Sequence, residues 1–142
     1  MPHRRPEVPH EIHGLPLPPA LIAAMTTGRW RTPSSPALRV LFPEEPLHPC
    51  FYAPGHIQFE NKDWPALAVS PSYLGLPSTH RPPGDIDPKR AILIGDLTVD
   101  KPIALDYRQS MTDPRVVYLA DPPLNWVEIA PSISVFLDAL GL

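Results

Sequence analysis

The chain has 142 residues, the size of one ordinary domain, and folding buries enough surface at this length that neither a disulfide nor a metal is needed for stability. Its formal net charge of −3 and sequence pI of about 6.0 argue against a general nucleic-acid-binding protein, because such proteins carry a basic excess. The apolar runs are far shorter than the roughly 18 residues that a membrane-spanning helix requires, so we expect no membrane partner.

The proline and cysteine content indicates what kind of domain to expect. There are 23 prolines and 7 glycines, so we expect one domain over residues 1–142 with many loops and with regular structure in the gaps between prolines. Cys50 is the single cysteine, which excludes an intramolecular disulfide. No apolar stretch follows the basic residues near the N-terminus, so we expect no signal peptide and a reduced, cytoplasmic setting.

The first half of the chain predicts few regular elements. Residues 1–17 have the composition of a proline-rich arm. A short helix is expected over residues 19–27, because proline suits the first helical positions and Gly28 suits the left-handed residue after the last turn. Residues 38–42 predict a strand between two prolines, and residues 50–53 predict another short strand.

The middle of the chain is dominated by proline. Residues 56–64 fit one or two helical turns. Residues 65–90 contain six prolines and predict a long loop, and a loop of that length is either functional or mobile. Its apolar residues, which we expect to contact the core, are Leu67, Val69, Tyr73 and Leu74. The three tryptophans lie in different segments and are expected to anchor the core.

The last third contains four short segments rich in β-branched and aromatic residues, each bounded by turn-forming residues. Their spacing of roughly ten residues, with no helical pattern between them, predicts an antiparallel meander. The four predicted strands are residues 91–95, 103–107, 115–119 and 125–129.

A one-sided helix is predicted at the C-terminus, over residues 132–140. Ile133, Phe136, Leu137 and Leu140 follow helical spacing, Ser132 can cap the first turn and Gly141 can end the last one. The apolar side of this helix must pack against one face of the sheet in order to be buried. The predicted fold class is therefore α+β, with an antiparallel or mixed central sheet of about four to six strands flanked by helices and a C-terminal helix packed on the sheet.

Two candidate chemical sites are considered and discounted. Cys50 with His48 or His56 could form a nucleophile and base, but no local signature surrounds the cysteine and we expect it to act as a small buried hydrophobe. His10 and His13 could bind a metal in the arm, but this pair supplies too few ligands. We expect no catalytic residue, no metal site and no cofactor.

Three aspartates of the last third could form an acidic site. Their spacing does not match a calcium loop. Asp96 and Asp100 are typical of turn residues that hydrogen-bond their own backbone. Asp106 lies on a predicted strand and is expected to pair with Arg108, Arg115 or backbone donors.

The order of short motifs in the last third is more informative than any one of them. In the sequence, ILIG at 92–95 and Asp96-Leu97 precede PIALDYR at 102–108 and VVYL at 116–119, and then come Trp126, Ile129-Ala130, Ser132, Phe136-Leu137 and Leu140. In this order and spacing, roughly residues 91–142 resemble the SUKH superfamily, also called the Smi/Knr-like family. A weaker likeness lies in residues 17–21 and 28–30, and the proline-rich N-terminal half departs from the more helical family pattern.

The resemblance implies an α+β fold and a non-enzymatic role. Many bacterial members resemble immunity proteins that bind and neutralise toxins, often nucleases, and eukaryotic members are similar to regulatory scaffolds. No catalytic or metal residue is implied by the resemblance. Asp106 matches the family's Leu-Asp position, and we interpret it as structural.

Charge distribution indicates where a protein partner would bind. Residues 93–142 carry three basic and seven acidic residues, which favours contact with a basic partner such as a nuclease. We expect the interface to combine the loop 65–90 with the turn 96–101. The residues predicted to contact the partner are Tyr73, Arg81, Asp96, Asp100 and Lys101.

Alternative functions remain open at this point. A regulatory or scaffold module would bind a host protein or a small ligand, and an apolar pocket beneath the loop 65–90 would favour it. A hydrolase using Cys50 and a metal-binding arm are further alternatives.

Overall fold

The computed structural model describes residues 7–67 and 71–142 and shows an α+β fold. In this described part of the chain, six strands form one antiparallel sheet and two form a separate hairpin. The predicted fold class is confirmed, including the C-terminal helix on the sheet. The strands are β1 (Glu11–Ile12), β2 (Leu15–Pro16), β3 (Cys50–Phe51), β4 (Pro83–Gly84), β5 (Ala91–Thr98), β6 (Lys101–Asp106), β7 (Arg115–Ala120) and β8 (Asn125–Ala130).

The helices are short, and five of the six in the described residues have proline at the first or second position, so proline lies inside helix starts as well as between elements. Proline at the first helical positions loses no hydrogen bond, because those backbone groups have no helical partner. The helices are α1 (Pro19–Thr26), α2 (Ser35–Leu41), α3 (Pro54–Asn61), α4 (Trp64–Leu67), α5 (Pro71–Leu74) and α6 (Ile133–Leu140), with a 3₁₀ turn at Pro88–Arg90.

The four predicted strands of the last third form the centre of the sheet. The strand order is β3-β5-β6-β7-β8-β4, so β5 to β8 pair as consecutive antiparallel hairpins. The meander prediction is confirmed. The two edge strands have two residues each, which limits the unpaired backbone at the sheet edges.

Helix α6 covers one face of the sheet. The Ser132 side chain accepts a hydrogen bond from the Val135 N–H, and Gly141 ends the helix with φ 71°, the left-handed conformation that glycine adopts readily. Phe136 is fully buried and lies 5.9 Å from Phe51 and 6.4 Å from Phe42, measured between ring centroids. The predicted apolar stripe therefore packs as expected.

The predicted strand at residues 38–42 is wrong, because residues Ser35–Leu41 form helix α2. Ser34 accepts a hydrogen bond from the Ala37 N–H, and Pro36 sits in the first turn, where its fixed φ is suited to a helix. The expectation treated Pro36 as a boundary of regular structure. It belongs inside the first turn of the helix.

The N-terminal arm is packed in part. Residues 1–6 lie outside the described residues. Strands β1 and β2 form a hairpin that buries Ile12 and Leu15, and Leu17 follows at 2% exposure. The Tyr107 hydroxyl donates a hydrogen bond to the Pro16 carbonyl at 2.7 Å. The arm therefore ends on the core, and the helix predicted after it is present as α1.

Residues 65–90 hold more regular structure than a loop. Most of α4, α5, strand β4 and the 3₁₀ turn fall within this range. Of the four apolar residues expected to contact the core, Tyr73 packs against it, whereas Val69 and the side chain of Leu67 lie outside the described residues. The three tryptophans are all buried, as predicted.

Candidate functional site

A bulge in strand β5 turns Asp96 towards the same face of the sheet as Leu93. Leu93 pairs with Ala104 and Gly95 pairs with Ile103, so one extra residue, Ile94, is inserted in the register. Side chains normally alternate across a strand, and an inserted residue reverses that alternation. Leu93 and Asp96, three positions apart, therefore both line one cavity.

Gly95 allows strand β3 to approach β5 beside this bulge. A Cβ atom at Gly95 would lie 2.7 Å from the Cys50 carbonyl oxygen, which is closer than a side chain tolerates. The pairing brings Cys50 opposite Asp96 and leads the chain directly to Tyr52. The Tyr52 N–H then donates to the Ile94 carbonyl at 2.9 Å.

Beyond the end of β3, the Asn61 side chain forms the hydrogen bonds to the edge of β5 that a neighbouring strand would otherwise form. Its side-chain amide donates to the Leu93 carbonyl and accepts from the Leu93 N–H, both at 2.8 Å, and it also donates to the Ile57 carbonyl at 2.8 Å. Asn61 is 2% exposed, so these bonds satisfy backbone groups that water cannot reach. They attach helix α3 to the sheet.

Aromatic side chains form one wall above this edge. The Trp64 ring meets Tyr73 edge-on at 6.4 Å and Trp126 at 6.1 Å, measured between centroids. The Trp126 indole N–H donates to the Tyr73 carbonyl at 2.6 Å, which fixes the segment that follows α4 against the sheet. The Trp64 Nε1 atom is buried and has no hydrogen-bond partner among the residues that the structure describes.

Between these elements lies a cavity of about 360 Å³, called here the acidic cavity. Its volume lies at the lower end of the range for small-ligand pockets. The floor includes Leu93, and Val99 and Pro102 contribute from the β5–β6 hairpin. The aromatic and acidic residues that line it are Tyr52, Trp64, Tyr73, Glu60, Asp96 and Asp100.

Among the described residues, the carboxylates of this cavity have no Lys or Arg partner, and His56 alone pairs with one of them, Glu60. Burial raises the pKa of Asp96, the Tyr52 hydroxyl and the nearby His56 oppose that rise, and the charges of Glu60 and Asp100 add to it. Glu60 lies 3.0 Å from the His56 ring nitrogen. Among the described residues, no Lys or Arg lies within 4.0 Å of any of the three carboxylates.

The acidic residues of the cavity also affect the Tyr52 hydroxyl. Burial, followed by the neighbouring charge of Asp96, raises the pKa of its hydroxyl above the ordinary tyrosine value. The ring lies 4.4 Å from the His56 ring between centroids. Tyr52 is therefore a neutral hydrogen-bonding group between two acidic residues.

A second cavity of about 520 Å³ adjoins the first and shares Tyr73, Val99 and Asp100 with it. Lys101 lines this second cavity. It forms an ion pair with Glu44 and donates to the Asp121 carbonyl at 3.2 Å. The charge of Lys101 is therefore largely neutralised within the chain.

The structure brings four of the five predicted contact residues to these two cavities. Asp96 lines the acidic cavity, Tyr73 and Asp100 line both cavities, and Lys101 lines the second cavity. Arg81 lines neither of them. Its guanidinium lies near the Tyr118 hydroxyl, whose pKa is raised to about 12, mainly by burial and by the charge of Glu44, with Arg81 opposing the rise.

Asp96 is not the turn residue that the sequence predicted. It belongs to strand β5, opposite Cys50. Asp100 does lie in the two-residue turn between β5 and β6, with φ 61°, a left-handed conformation that aspartate adopts more readily than most residues. Next to it, Val99 is 77% exposed, so the tip of this hairpin presents an apolar side chain beside the acidic cavity.

Asp106 is paired as predicted and has no part in the cavity. Its carboxylate accepts from the Arg108 guanidinium at 3.1 Å and from the Arg115 guanidinium at 2.8 Å. Although burial raises the pKa of Asp106, the hydrogen bonds and charge of Arg108 and Arg115 outweigh it and hold that pKa below the ordinary value. Arg108 also reaches Asp85, which completes a structural network.

Cys50 is partly buried, and its surroundings disfavour the thiolate. Burial raises the pKa of the thiol, and the charges of Asp96 and Glu60 raise it further. A nucleophilic cysteine requires the opposite shift. No basic side chain among the described residues forms a hydrogen bond with the Cys50 sulfur, which instead lies 3.9 Å from the Phe51 carbonyl oxygen.

The described residues contain neither a cluster of metal ligands nor a helix suited to span a membrane. Within residues 7–67 and 71–142, no three His, Cys, Asp or Glu side chains converge as metal ligands would. Over the same ranges, no helix has both the length and the apolar character needed to cross a bilayer. His10 and His13 both lie on the surface beside the β1–β2 hairpin.

Comparison with known proteins adds no relative. No family model matches this chain, and no curated protein or solved structure matches it. Membership of the SUKH superfamily therefore stays a prediction that rests on the motif order of residues 91–142.

Six of the nine residues that line the acidic cavity are not among the predicted contact residues: Tyr52, Glu60, Trp64, Leu93, Val99 and Pro102. Glu60 and Trp64 fall in the predicted helical segment 56–64, where their spacing of four residues indicates a shared face, although the structure divides this segment between α3 and α4. That signal could have joined them to Tyr73 as one surface. The bulge that turns Asp96 towards them has no local sequence signature.

Proposed function

We propose that this protein is a non-enzymatic protein-binding domain of the immunity type, which binds and neutralises a bacterial toxin in the cytoplasm. The observation that carries the proposal is the acidic cavity. Asp96, Asp100 and Glu60 line it beside aromatic side chains, and among the described residues none of the three has a Lys or Arg partner. Such a surface complements a basic protein, as a nuclease toxin would be.

The resemblance to the SUKH superfamily supports the same proposal from the sequence side. Val99 and Tyr73 give the surface apolar and aromatic contact area next to the charges, a composition typical of the centre of protein interfaces. A single free cysteine suits the reducing cytoplasm, where an incoming toxin would be met.

The test is binding to toxin domains encoded beside this gene. Each candidate domain, inactivated by substitution where it is lethal, is titrated into the full-length chain by calorimetry. We expect one of them to bind, with an affinity that falls as salt is raised because the contact is electrostatic. If no neighbouring toxin domain binds the folded protein, the immunity proposal is wrong.

A regulatory module that binds a small ligand is a second candidate, and the cavity volume favours it. A site of about 360 Å³ beneath α4 and α5 could enclose a small molecule. The carboxylates would select a cationic one. A thermal-shift screen of free polyamines and amino acids tests this candidate, and stabilisation by one of them, without binding to any toxin domain, would favour it over the immunity role.

A further inference from the structure

The acidic cavity combines negative charge with a site that is too spread out for a metal ion. Its three carboxylates come from helix α3, strand β5 and the β5–β6 turn. In the described residues no three acidic or histidine side chains converge as metal ligands. Separated carboxylates instead suit an organic cation whose charge is distributed over several donor atoms.

The walls of the cavity provide a further feature that is independent of the charge. Tyr73 is partly exposed and lines the cavity, so it offers aromatic surface on which a cation with a planar face can stack. Tyr52 and Trp64 also line the cavity, but they are only 1% and 3% exposed and contribute little surface to an occupant.

We propose that the acidic cavity receives a single arginine side chain of the protein partner, with its guanidinium between the aromatic wall and the Asp96 carboxylate. This inference rests on the proposed function and names what the partner inserts. The volume of about 360 Å³ limits the occupant to one side chain or a molecule of similar size.

Arginine fits this cavity better than lysine does. The guanidinium is planar, stacks on aromatic rings and donates two parallel hydrogen bonds to a carboxylate. It is also more weakly hydrated than an ammonium, so less solvation is lost on entering a half-enclosed site. Asp96 carries a raised pKa because burial and acidic neighbours oppose its charge, and an incoming cation would relieve that opposition.

His56 is the group that competes with the incoming cation. Its ring lies 3.0 Å from the Glu60 carboxylate, against the Tyr52 ring, and its charge lowers the pKa of Asp96. When arginine enters, Asp96 is its main partner, because Glu60 already has His56. Asp100, which has no ion pair among the described residues, is the second partner.

The experiment titrates full-length protein with N-acetyl-arginine-methylamide and follows ¹H–¹⁵N spectra. The matched probe is N-acetyl-citrulline-methylamide, which keeps the shape and carbonyls and lacks the charge. We expect the arginine probe to bind roughly tenfold or more tightly than the citrulline probe, because a hydrogen bond between two charged groups is stronger than one to a neutral donor. The largest indole shift should be that of Trp64.

Two variants locate the binding site. Asp96→Asn keeps the side-chain shape and should weaken the arginine probe roughly tenfold or more, and Asp100→Asn should weaken it by a smaller factor. Asp138→Asn makes the same change in net charge on helix α6, far along the chain from the cavity, and should leave the affinity within about twofold. The lysine probe should bind more weakly than the arginine probe.

Three outcomes would overturn the inference: no binding of the arginine probe, equal binding of the citrulline probe, or equal effects of Asp96→Asn and Asp138→Asn. The toxin titration separates this failure from failure of the proposed function. Toxin binding that survives Asp96→Asn unchanged retains the immunity role and rejects the arginine site. Arginine binding without any toxin partner retains the site and rejects the role.

Discussion

Asp96 and Asp106 lie on adjacent strands of one sheet. Asp106 is surrounded by basic side chains, whereas the neighbours of Asp96 are mainly acidic. The Asp106 side chain is 1% exposed and is held by two guanidinium groups. Asp96 is half-buried among Glu60, Asp100 and Tyr52, and no Lys or Arg of the described chain pairs with it. The fold neutralises the Asp106 carboxylate internally and leaves the Asp96 carboxylate without a Lys or Arg partner among the described residues.

The contrast separates a structural acidic residue from a candidate recognition residue. A paired, buried carboxylate stabilises the fold only while its partners remain, since removing one side leaves a charge without compensation. An unpaired carboxylate with a raised pKa costs folding energy, which makes it a candidate for a functional site. Substitutions at the two positions should therefore have opposite consequences.

The largest effect is expected at the paired position. Asp106→Asn leaves Arg108 and Arg115 without their carboxylate, and we expect a loss of about 3–5 kcal/mol in the free energy of unfolding, measured with urea. Asp138→Asn on the exposed side of α6 is the matched control and should change it by less than about 0.5 kcal/mol. A loss at Asp106 no larger than in the control would show that the network is not structural.

A substitution at Asn61 tests whether its side-chain hydrogen bonds attach helix α3 to strand β5. Asn61→Ala removes the groups that satisfy the Leu93 N–H and carbonyl, and we expect a loss of about 2–4 kcal/mol in the free energy of unfolding. Gln58→Ala on the exposed face of the same helix is the control. If both variants unfold at the same urea concentration, the attachment of α3 to β5 through this amide is wrong.

Asp96→Asn should behave in the opposite way to Asp106→Asn. Its pKa is raised in the folded state, so the wild-type chain loses stability as pH rises from the unfolded value, near 3.9, through the folded one. At pH 7 the variant should be no less stable than wild type in urea. A clear loss of stability would mean that Asp96 is a structural residue.

The free energy of unfolding should depend on pH through Asp106 as well as through Asp96. The pKa of Asp106 is lowered, so its contribution is present above roughly pH 3.9 and is lost as pH falls through its folded value. Unfolding of wild type and Asp106→Asn, followed from neutral to acidic pH, should therefore converge at low pH. Parallel curves would contradict the lowered pKa.

The smallest effect concerns Cys50, which lies opposite Asp96. The Asp96 charge is one cause of the raised pKa of the thiol, so Asp96→Asn should lower that pKa and speed alkylation by iodoacetamide at a fixed mildly alkaline pH. The same rate in Asp100→Asn as in Asp96→Asn would indicate that the effect does not come from the facing carboxylate.

Sequence patterns predicted the sheet because each strand of the last third is short, apolar and bounded by turn residues. They also placed α6, whose stripe from Ile133 to Leu140 and cap at Ser132 are local features. Helix α2 was missed because Pro36 was treated as a boundary, although it lies within the first turn of that helix.

The cavity was only partly accessible from sequence, for a physical reason. Tyr73, Asp100 and Lys101 were predicted as contact residues from their position in a loop and a turn. Asp96 reaches the cavity only because Ile94 is an inserted residue in β5, and pairing with a neighbouring strand decides where that insertion occurs. No short motif in the sequence marks which residue of the β5–β6 hairpin is the inserted one.

The most direct measurement is the titration of the two aspartate carboxyl carbons by ¹³C-detected NMR, assigned through Asp96→Asn and Asp106→Asn. The account predicts a midpoint above the ordinary aspartate value of about 3.9 for Asp96 and a midpoint below it for Asp106. Equal midpoints, or the reverse order, would contradict the claim that the chain neutralises one carboxylate and leaves the other for a partner.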